Sequence, residues 1–467
     1  MKHKPLLLIM AMTLGGCSLI PEYHRPEAPL PDAFPHGAAY ASAKVGDPSQ
    51  IGWKTFFKDP ALQQLVEIAL VNNRDLRKAV LNVEAYRAQY RIQGAALMPE
   101  IGVNGSAGRS RTPGDISPTG RQSTSGTDSL EVGLTSYEID VWGRVRSLDQ
   151  AALETYLAGD DTRRSVQLGL IANVGTAYLT WRTDRKLLDV TRSTLENYRR
   201  NLELVEASSA AGTASDLDVR QARTLVYSAQ GQIHAFTRQV AQDKNALELL
   251  LGRSVPHDLM GADQNAPLLA EIPAGLPAGL LQQRPDIRAA EHQLKAANAN
   301  IGAARAAFFP SIMLTGSAGT ASTHLSGLFD SGSETWSFIP QIRLPIFNGG
   351  RLKASLDYAE IQKDIGIVNY EESIQNAFRE VADGLAAMGT WDEQIRSQEA
   401  LVSSAMQYSE MAQTRYDEGV DNYLTLLDAQ RQLLSARQKL LTDQLAHMTA
   451  QIQLYKALGG GWTETNA

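Results

Sequence analysis

The stretch Pro99-Glu100-Ile101-Gly102-Val103-Asn104-Gly105-Ser106-Ala107-Gly108 occurs twice. It returns as Pro310-Ser311-Ile312-Met313-Leu314-Thr315-Gly316-Ser317-Ala318-Gly319, 211 positions on. Upstream, Asp75-Leu76-Arg77 and Asp286-Ile287-Arg288 keep the same spacing. From Gly143-Arg144 to Gly350-Arg351 the offset becomes 207, and Val174/Val381, Gly212/Gly419, Leu217/Leu424, Ala222/Ala429 and Leu251-Gly252/Leu458-Gly459 hold it. The four-residue slippage falls between Gly108 and Gly143. A duplicated unit of this size implies a pseudosymmetric structure, and drift confined to one segment marks that segment as a loop.

Working outward to the N-terminus, Lys2, His3 and Lys4 precede an apolar run that ends in Leu14-Gly15-Gly16-Cys17. A basic start, a short apolar run and small residues before a processing point read as a secretory signal over 1–16. The last four residues resemble a bacterial lipobox, which implies a diacylglycerol and an acyl chain on Cys17. By the same resemblance, Ser18 implies sorting to the outer membrane. Cys17 is the only cysteine of 467 residues, so a disulfide framework is excluded. A net charge of −7 and the absence of a basic stripe argue against a nucleic-acid partner. Beyond Cys17 no apolar run is long enough for a membrane-spanning helix. Any crossing must use strands closed into a barrel.

The Pro- and Ala-rich segment within 17–60 reads as a lipid-anchored tether. Repeat 1 occupies 61–254 and repeat 2 occupies 282–459. A Pro- and Gly-rich strap over 255–281 joins them, and 460–467 forms a tail. In repeat 1 the pattern predicts a helix from about Ala61 to Ala96, stopped by Pro99, then two strands. A very long helix from Gly143 to about Ser209 follows, and after a break at Gly212 a last helix runs from Leu217 to Leu251. Repeat 2 follows the same order, with its break at Gly419. Leu427, Leu434, Leu441, Met448 and Tyr455 recur every seven residues, as do Ala429, Ala436, Ala450 and Ala457 with one interruption at Asp443. Such repeats imply supercoiled helices with a neighbour on each side. A helix in the core of a bundle would show the same two seams. Length separates the cases: about 67 residues span roughly 100 Å, which suits a tube.

Strands are expected over about 101–110, 129–141, 311–322 and 335–346. Trp336, Phe338, Ile342 and Leu344 alternate with Ser337, Ile339, Gln341 and Arg343; Leu130, Val132 and Leu134 alternate with Glu131, Gly133 and Thr135. Strands between lipid and a wet lumen alternate this way, and so do strands of a half-buried soluble sheet. The polar run from Arg109 to Asp128 and its counterpart from Thr320 to Thr335 read as solvent loops. Four strands cannot close a barrel, for which about eight is the practical minimum, so the membrane reading requires association of chains.

At this point the residues resemble the TolC family of outer-membrane efflux channels, most nearly the OprM-type lipoproteins of RND multidrug efflux systems. The resemblance covers essentially the whole mature chain. It is carried by Cys17-Ser18-Leu19-Ile20-Pro21, Asn72-Asn73-Arg74-Asp75-Leu76-Arg77 and Tyr137-Glu138-Ile139-Asp140-Val141-Trp142-Gly143-Arg144. Gln283-Arg284-Pro285-Asp286-Ile287, Ala306-Ala307-Phe308-Phe309-Pro310 and Leu344-Pro345-Ile346-Phe347-Asn348-Gly349-Gly350 also match, as does Gly419 through Arg431. It implies a mainly α fold with a transmembrane β part: a homotrimeric α-helical barrel below a twelve-stranded β-barrel, four strands per chain. It further implies docking by a periplasmic adaptor protein, an inner-membrane RND antiporter as the energy source, and outer-membrane lipids around the strands.

The path of the chain then places the turns at Gly212 and Gly419 at the periplasmic end, with Arg415, Tyr416 and Val420 at the second tip. Leu424, Asp428 and Arg431 lie four and three residues apart, hence on one helix face. By resemblance these three form the periplasmic gate. Copy one has Leu217, Gln221 and Thr224 there and lacks the charged pair; its tip reads Ser208-Ser209-Ala210-Ala211-Gly212 against Arg415-Tyr416-Asp417-Glu418-Gly419. No metal-ligand spacing among the eight histidines, nucleophile elbow or phosphate loop supports an enzyme. Metal-ion efflux, type I secretion and a structural coiled-coil lipoprotein are the alternative readings.

Overall fold

The computed structural model describes residues 18–31, 33–40, 51–257, 259, 268–270 and 284–460. The expected signal segment, Cys17, most of the strap over 255–281 and nearly all of the tail lie outside these residues. After a single helical turn at Trp53–Phe56, the longer helices among the described residues are, in chain order, α1 (Pro60–Asn72), α2 (Arg74–Ala95), α3 (Arg144–Ala210), α4 (Asp216–Leu251), α5 (Pro285–Ala306), α6 (Arg351–Asp417) and α7 (Tyr423–Ala457). The strands are β1 (Ile101–Thr112), β2 (Ser123–Ile139), β3 (Ser311–Ser322) and β4 (Glu334–Arg343). α3 and α6 both contain 67 residues, so each extends roughly 100 Å.

The strands form one antiparallel sheet in the order β1-β2-β3-β4. Its register sorts the side chains by face. Ile101 and Val103 pair with Leu134 and Val132, and Ile312 pairs with both Ile139 and Ile342. The other face carries Asn104 opposite Glu131, with hydroxyl pairs Ser106–Ser129 and Ser317–Ser337, each at 2.8 Å. A bulge between Leu134 and Tyr137, with Ser136 at φ +51°, shifts β2 by one residue so that Tyr137 and Ile139 rejoin the apolar face.

Three expectations are corrected. The segment from Arg109 to Asp128 is not all loop, because β1 and β2 stay paired out to Thr112 and Ser123. Serine, threonine and glycine lack the alternation that reveals a strand, yet backbone pairing needs none. At the opposite end β2 stops at Ile139 and β4 at Arg343, short of 141 and 346. Pro345, which has no N–H to donate, follows just beyond β4. Finally, the helix expected from Ala61 to Ala96 breaks at Asn73. There Asn73 Oδ1 accepts the Leu76 N–H at 2.9 Å and Nδ2 donates to the Leu250 carbonyl at 2.9 Å.

The chain forms two compact units, through both of which α3 and α6 run. The first comprises 18–27, 82–160 and 289–371 among the described residues, which includes the sheet. In it the helices pack in the order of the strands they join. Tyr86 and Tyr90 of α2 meet Gly159 and Tyr156 of α3. Glu154 of α3 meets His292 Nδ1 of α5 at 2.6 Å, and Leu294 of α5 lies on Gly366 of α6. The wall therefore runs α2-α3-α5-α6.

Nor is the expected tether free here. Ile20 packs against Ala151, Ala296 and Ala299. Tyr23 OH and Arg25 both donate to Glu291, and Asn298 Nδ2 donates to the Pro21 carbonyl at 2.8 Å.

The described residues of 28–81, 161–288 and 372–467 form the second unit, and among them lie two apolar cores. One gathers Phe56, Phe57, Leu62, Leu65 and Val66 of the N-terminal segment around Ile171, Val174, Leu247, Leu251, Ile452 and Tyr455. Asp59 caps α1 and is buried. Its Oδ2 accepts Tyr178 OH at 2.9 Å and Arg182 Nη1 at 3.2 Å. Both seven-residue seams of α7 face inward: Leu427, Leu434 and Tyr455 on one, Ala429, Ala436 and Ala457 on the other. The interrupting Asp443 is also buried and takes Lys439 as its partner.

Candidate functional site at the hairpin tips

Gly212 and Gly419 stand in the left-handed region at φ +77° and +70°. Glycine adopts this conformation without the Cβ penalty, which lets each long helix end abruptly. The two turns have matching backbone bonds. Thr213 and Val420 N–H donate to Ser208 and Arg415 carbonyls at 2.9 and 2.8 Å; Gly212 and Gly419 N–H donate to Ser209 and Tyr416 carbonyls at 3.0 and 2.9 Å. The duplication is thus exact in backbone and divergent in side chains.

In the first hairpin Ser215 caps α4 and forms a reciprocal box with Asp218. In the second, Asn422 caps α7 and Arg415 grips Asp421 through Nε at 2.7 Å and Nη2 at 3.0 Å. The hydrogen bonds from Arg415 hold the Asp421 carboxyl below the usual range. Tyr416 and Tyr423 meet edge to face at 5.5 Å. Burial first, and then the phenols Tyr416 and Tyr198 and the Asp218 carboxylate, push Tyr423 up to about 12. Tyr423 also joins the second apolar core, where Leu195, Tyr198, Val205, Val219, Leu225 and Val226 of α3 and α4 pack on Leu426 and Leu427 of α7. This core fixes the two hairpins to each other.

Just above the turns the copies differ again. Arg223 donates to Glu206 Oε1 at 3.1 and 2.7 Å between α4 and α3. The positions 207 residues on are Gln430 and Gln413, whose amides lie 3.5 Å apart. An ion pair in one hairpin is therefore a neutral contact in the other.

Leu424, Asp428 and Arg431 do share one face of α7, and all three are exposed; Leu424 retains 55% of its surface. Within the chain Asp428 accepts Gln432 Nε2 at 2.6 Å, and among the described residues it makes no ion pair with Arg431. Both charges line a groove of about 490 Å³ with Gln398, Leu401, Gln432 and Lys439. Val420, at the tip, is 58% exposed. Sequence reasoning missed Asp421, Asp218 and the pairs 206/223 and 413/430. The signal for the pairs was their mirror placement about each turn. Among the described residues no group of three or more His, Cys, Asp or Glu could hold a metal ion, and no helix is long and apolar enough to cross a membrane.

Known proteins share this fold. The family model described as outer membrane efflux protein matches residues 65–253 and 276–460. The solvent efflux pump outer membrane protein SrpC of Pseudomonas putida is 57% identical, with 99% of each chain covered. The open state of the Neisseria gonorrhoeae MtrE outer membrane channel superposes with a TM-score of 0.87 at 38% identity, covering 96% of this chain and 99% of that one. A membrane protein from Pseudomonas aeruginosa gives 0.87 at 42% identity, covering 95% of this chain and 100% of the other. With its four-stranded sheet, paired long hairpins and glycine-closed tips, the chain belongs to the outer membrane efflux protein family and serves as the outer-membrane channel of an efflux system, a transport duct and not an enzyme.

Proposed function

We propose that three copies close into the exit duct of a tripartite RND-type multidrug efflux system. The observation that carries this reading is the sheet itself. It ends in two unpaired edge strands, β1 and β4, with one apolar and one polar face. Open edges demand partners, and four strands from each of three chains make a barrel wide enough for a channel. The apolar face then meets lipid, and the serine-rich face lines water. The long helices continue the wall as a periplasmic tube, and Cys17 carries the lipid that anchors the mature chain in the outer membrane.

The tips at Gly212 and Gly419, with Arg415, Tyr416 and Val420, receive the periplasmic adaptor, and an inner-membrane antiporter supplies the energy. The relative named for solvent efflux supports a solvent-like, apolar cargo. Leu424, Asp428 and Arg431 form the gate. Their charges have no partner in each other within one chain, which leaves them for pairing between copies. Exposed pairs contribute only about 0–1 kcal/mol each, so a ring of them closes the aperture yet yields to a docked adaptor. Asp428→Ala or Arg431→Ala is expected to raise the open probability of single channels in planar bilayers. Closed-state conductance unchanged in both variants would remove the gate from this face.

A further inference from the structure

The duplication leaves one cation of the first unit without its acid. Arg144 opens α3 and is held by Glu138, whose Oε1 accepts its Nε at 2.9 Å. Arg146 is held by Asp140, whose Oδ2 accepts its Nε at 3.1 Å. The positions 207 residues on are Arg351 and Lys353 for the cations, but Pro345 and Phe347 for the acids. Repeat 2 therefore keeps both positive charges and has no carboxylate at either matching position. Lys353 takes Asp357 instead, four residues along α6. Arg351 is exposed, and among the described residues its guanidinium has no hydrogen-bond or ionic partner.

Arg351 lines a cavity of about 530 Å³ where the sheet passes into the helices. Arg343, the last residue of β4, lines it as well. Arg343 pairs with Ser311 and follows Ile342 of the apolar face, so it belongs to the polar face. It too is exposed and without a hydrogen-bond or ionic partner for its side chain among the described residues. Glu138 and Asp140 also reach the cavity, but both are engaged, by Arg144, by Arg146 and by the Val145 and Arg146 N–H groups. Two guanidiniums remain uncompensated. Beside them the lining is flat and apolar: Trp142 and Phe309 stack at 4.6 Å, and the indole N–H is already given to the Pro310 carbonyl at 3.0 Å.

We propose that this cavity binds an organic anion with an aromatic body, its carboxylate taken by Arg343 and Arg351 and its ring laid beside Trp142 and Phe309. A guanidinium is a planar fork that matches a carboxylate with two parallel hydrogen bonds. The volume lies within the range that holds a drug-sized molecule, and an apolar wall with a few fixed charges is how such sites are built. A lipid headgroup carries the same charge, but lipid meets the opposite, apolar face of the sheet. The site rests on the duct reading for its access, since the polar face is then lined by water. It goes beyond that reading by giving the wall of the duct a ligand of its own.

The test uses the full-length protein in nanodiscs of zwitterionic lipid, with naphthoate as the probe and equilibrium dialysis, corrected for empty nanodiscs, as the readout. Saturable binding is expected, with naphthylmethanol, its neutral counterpart, about tenfold weaker. Arg343→Gln and Arg351→Gln are each expected to weaken naphthoate about tenfold, the loss of one charge-assisted hydrogen bond. Arg351→Lys should lose less, and Lys353→Gln nothing, because Lys353 is spent on Asp357. Thermal unfolding equal to the parent's in each variant shows that the loss lies in the site. Affinity undiminished in both glutamine variants, or equal affinity for the alcohol, overturns the proposal. Displacement of naphthoate by phosphatidylglycerol added to the nanodiscs also overturns it, and gives the cavity to a lipid headgroup. A preparation that binds naphthoate but conducts no ions in planar bilayers would sink the duct and leave the site standing; one that conducts without saturable binding does the reverse.

Discussion

At the residue scale, Asp184 shows how burial creates a pH-sensitive group. It sits on α3 close to Asp243 of α4, whose Oδ1 accepts Gln239 Nε2 at 2.9 Å. Burial first, and then the neighbouring carboxylate, push Asp184 up to about 7. The folded state therefore binds a proton over a pH range in which the unfolded chain, titrating near 4, has released it. Stability contributed at low pH is lost as pH rises through 7. Asp184→Asn is expected to raise the melting temperature at pH 8, with the gain shrinking toward pH 5; an equal gain at both pH values would contradict the assignment. The shared face of Leu424, Asp428 and Arg431 was legible as a spacing. The Asp184–Asp243 pair was not, because nothing in sequence ties residues on separate helices to one proton.

At the element scale, glycines set how closely helices approach the rest of the fold. A Cβ on Gly175 of α3 would stand 2.9 Å from the Phe57 ring and 3.1 Å from Ile452, whereas one on Gly231 of α4 would meet nothing of the chain within 4 Å. Gly175→Leu is expected to destabilise by about 1–3 kcal/mol through overpacking. Gly231→Ala should gain up to about 1 kcal/mol of helix propensity. Thermal unfolding followed by circular dichroism in detergent measures both, and a Gly175→Leu variant as stable as the parent would remove the close approach. Helix lengths and the turns at Gly212 and Gly419 were readable from period and punctuation. The extension of β1 and β2 to Thr112 and Ser123 was hidden, because a polar hairpin carries no hydrophobic pattern.

At the scale of the whole molecule, the N-terminal segment behaves as a strap. Glu291 alone receives Tyr23, Arg25 and Lys295, with Arg25 at 2.9 Å and Lys295 at 3.1 Å. Burial would raise its carboxyl, but the hydrogen bonds from Lys295 and Arg25 outweigh burial and hold it low. A depressed carboxyl contributes stability above the ordinary glutamate range, and that contribution is lost as pH falls through the lowered value. Limited proteolysis should therefore leave residues 18–27 protected at neutral pH and release them in acid. Glu291→Gln should release them at pH 7 already. Protection unaltered by that substitution would mean that Ile20 and its alanine neighbours hold the strap unaided.

The sequence by itself determined the duplication, the order of helices and strands, the glycine turns and the faces of α7. Each of these follows from the local geometry of the backbone and from the spacing of apolar residues. Only the tertiary structure decided the strand and wall order, the docking of the N-terminal segment, and the different side-chain contacts at two tips of identical backbone. Those depend on partners far apart in the chain, such as Arg25 and Glu291, which are 266 positions apart. A polar side chain records in sequence that it needs a partner, and only packing selects which one it finds.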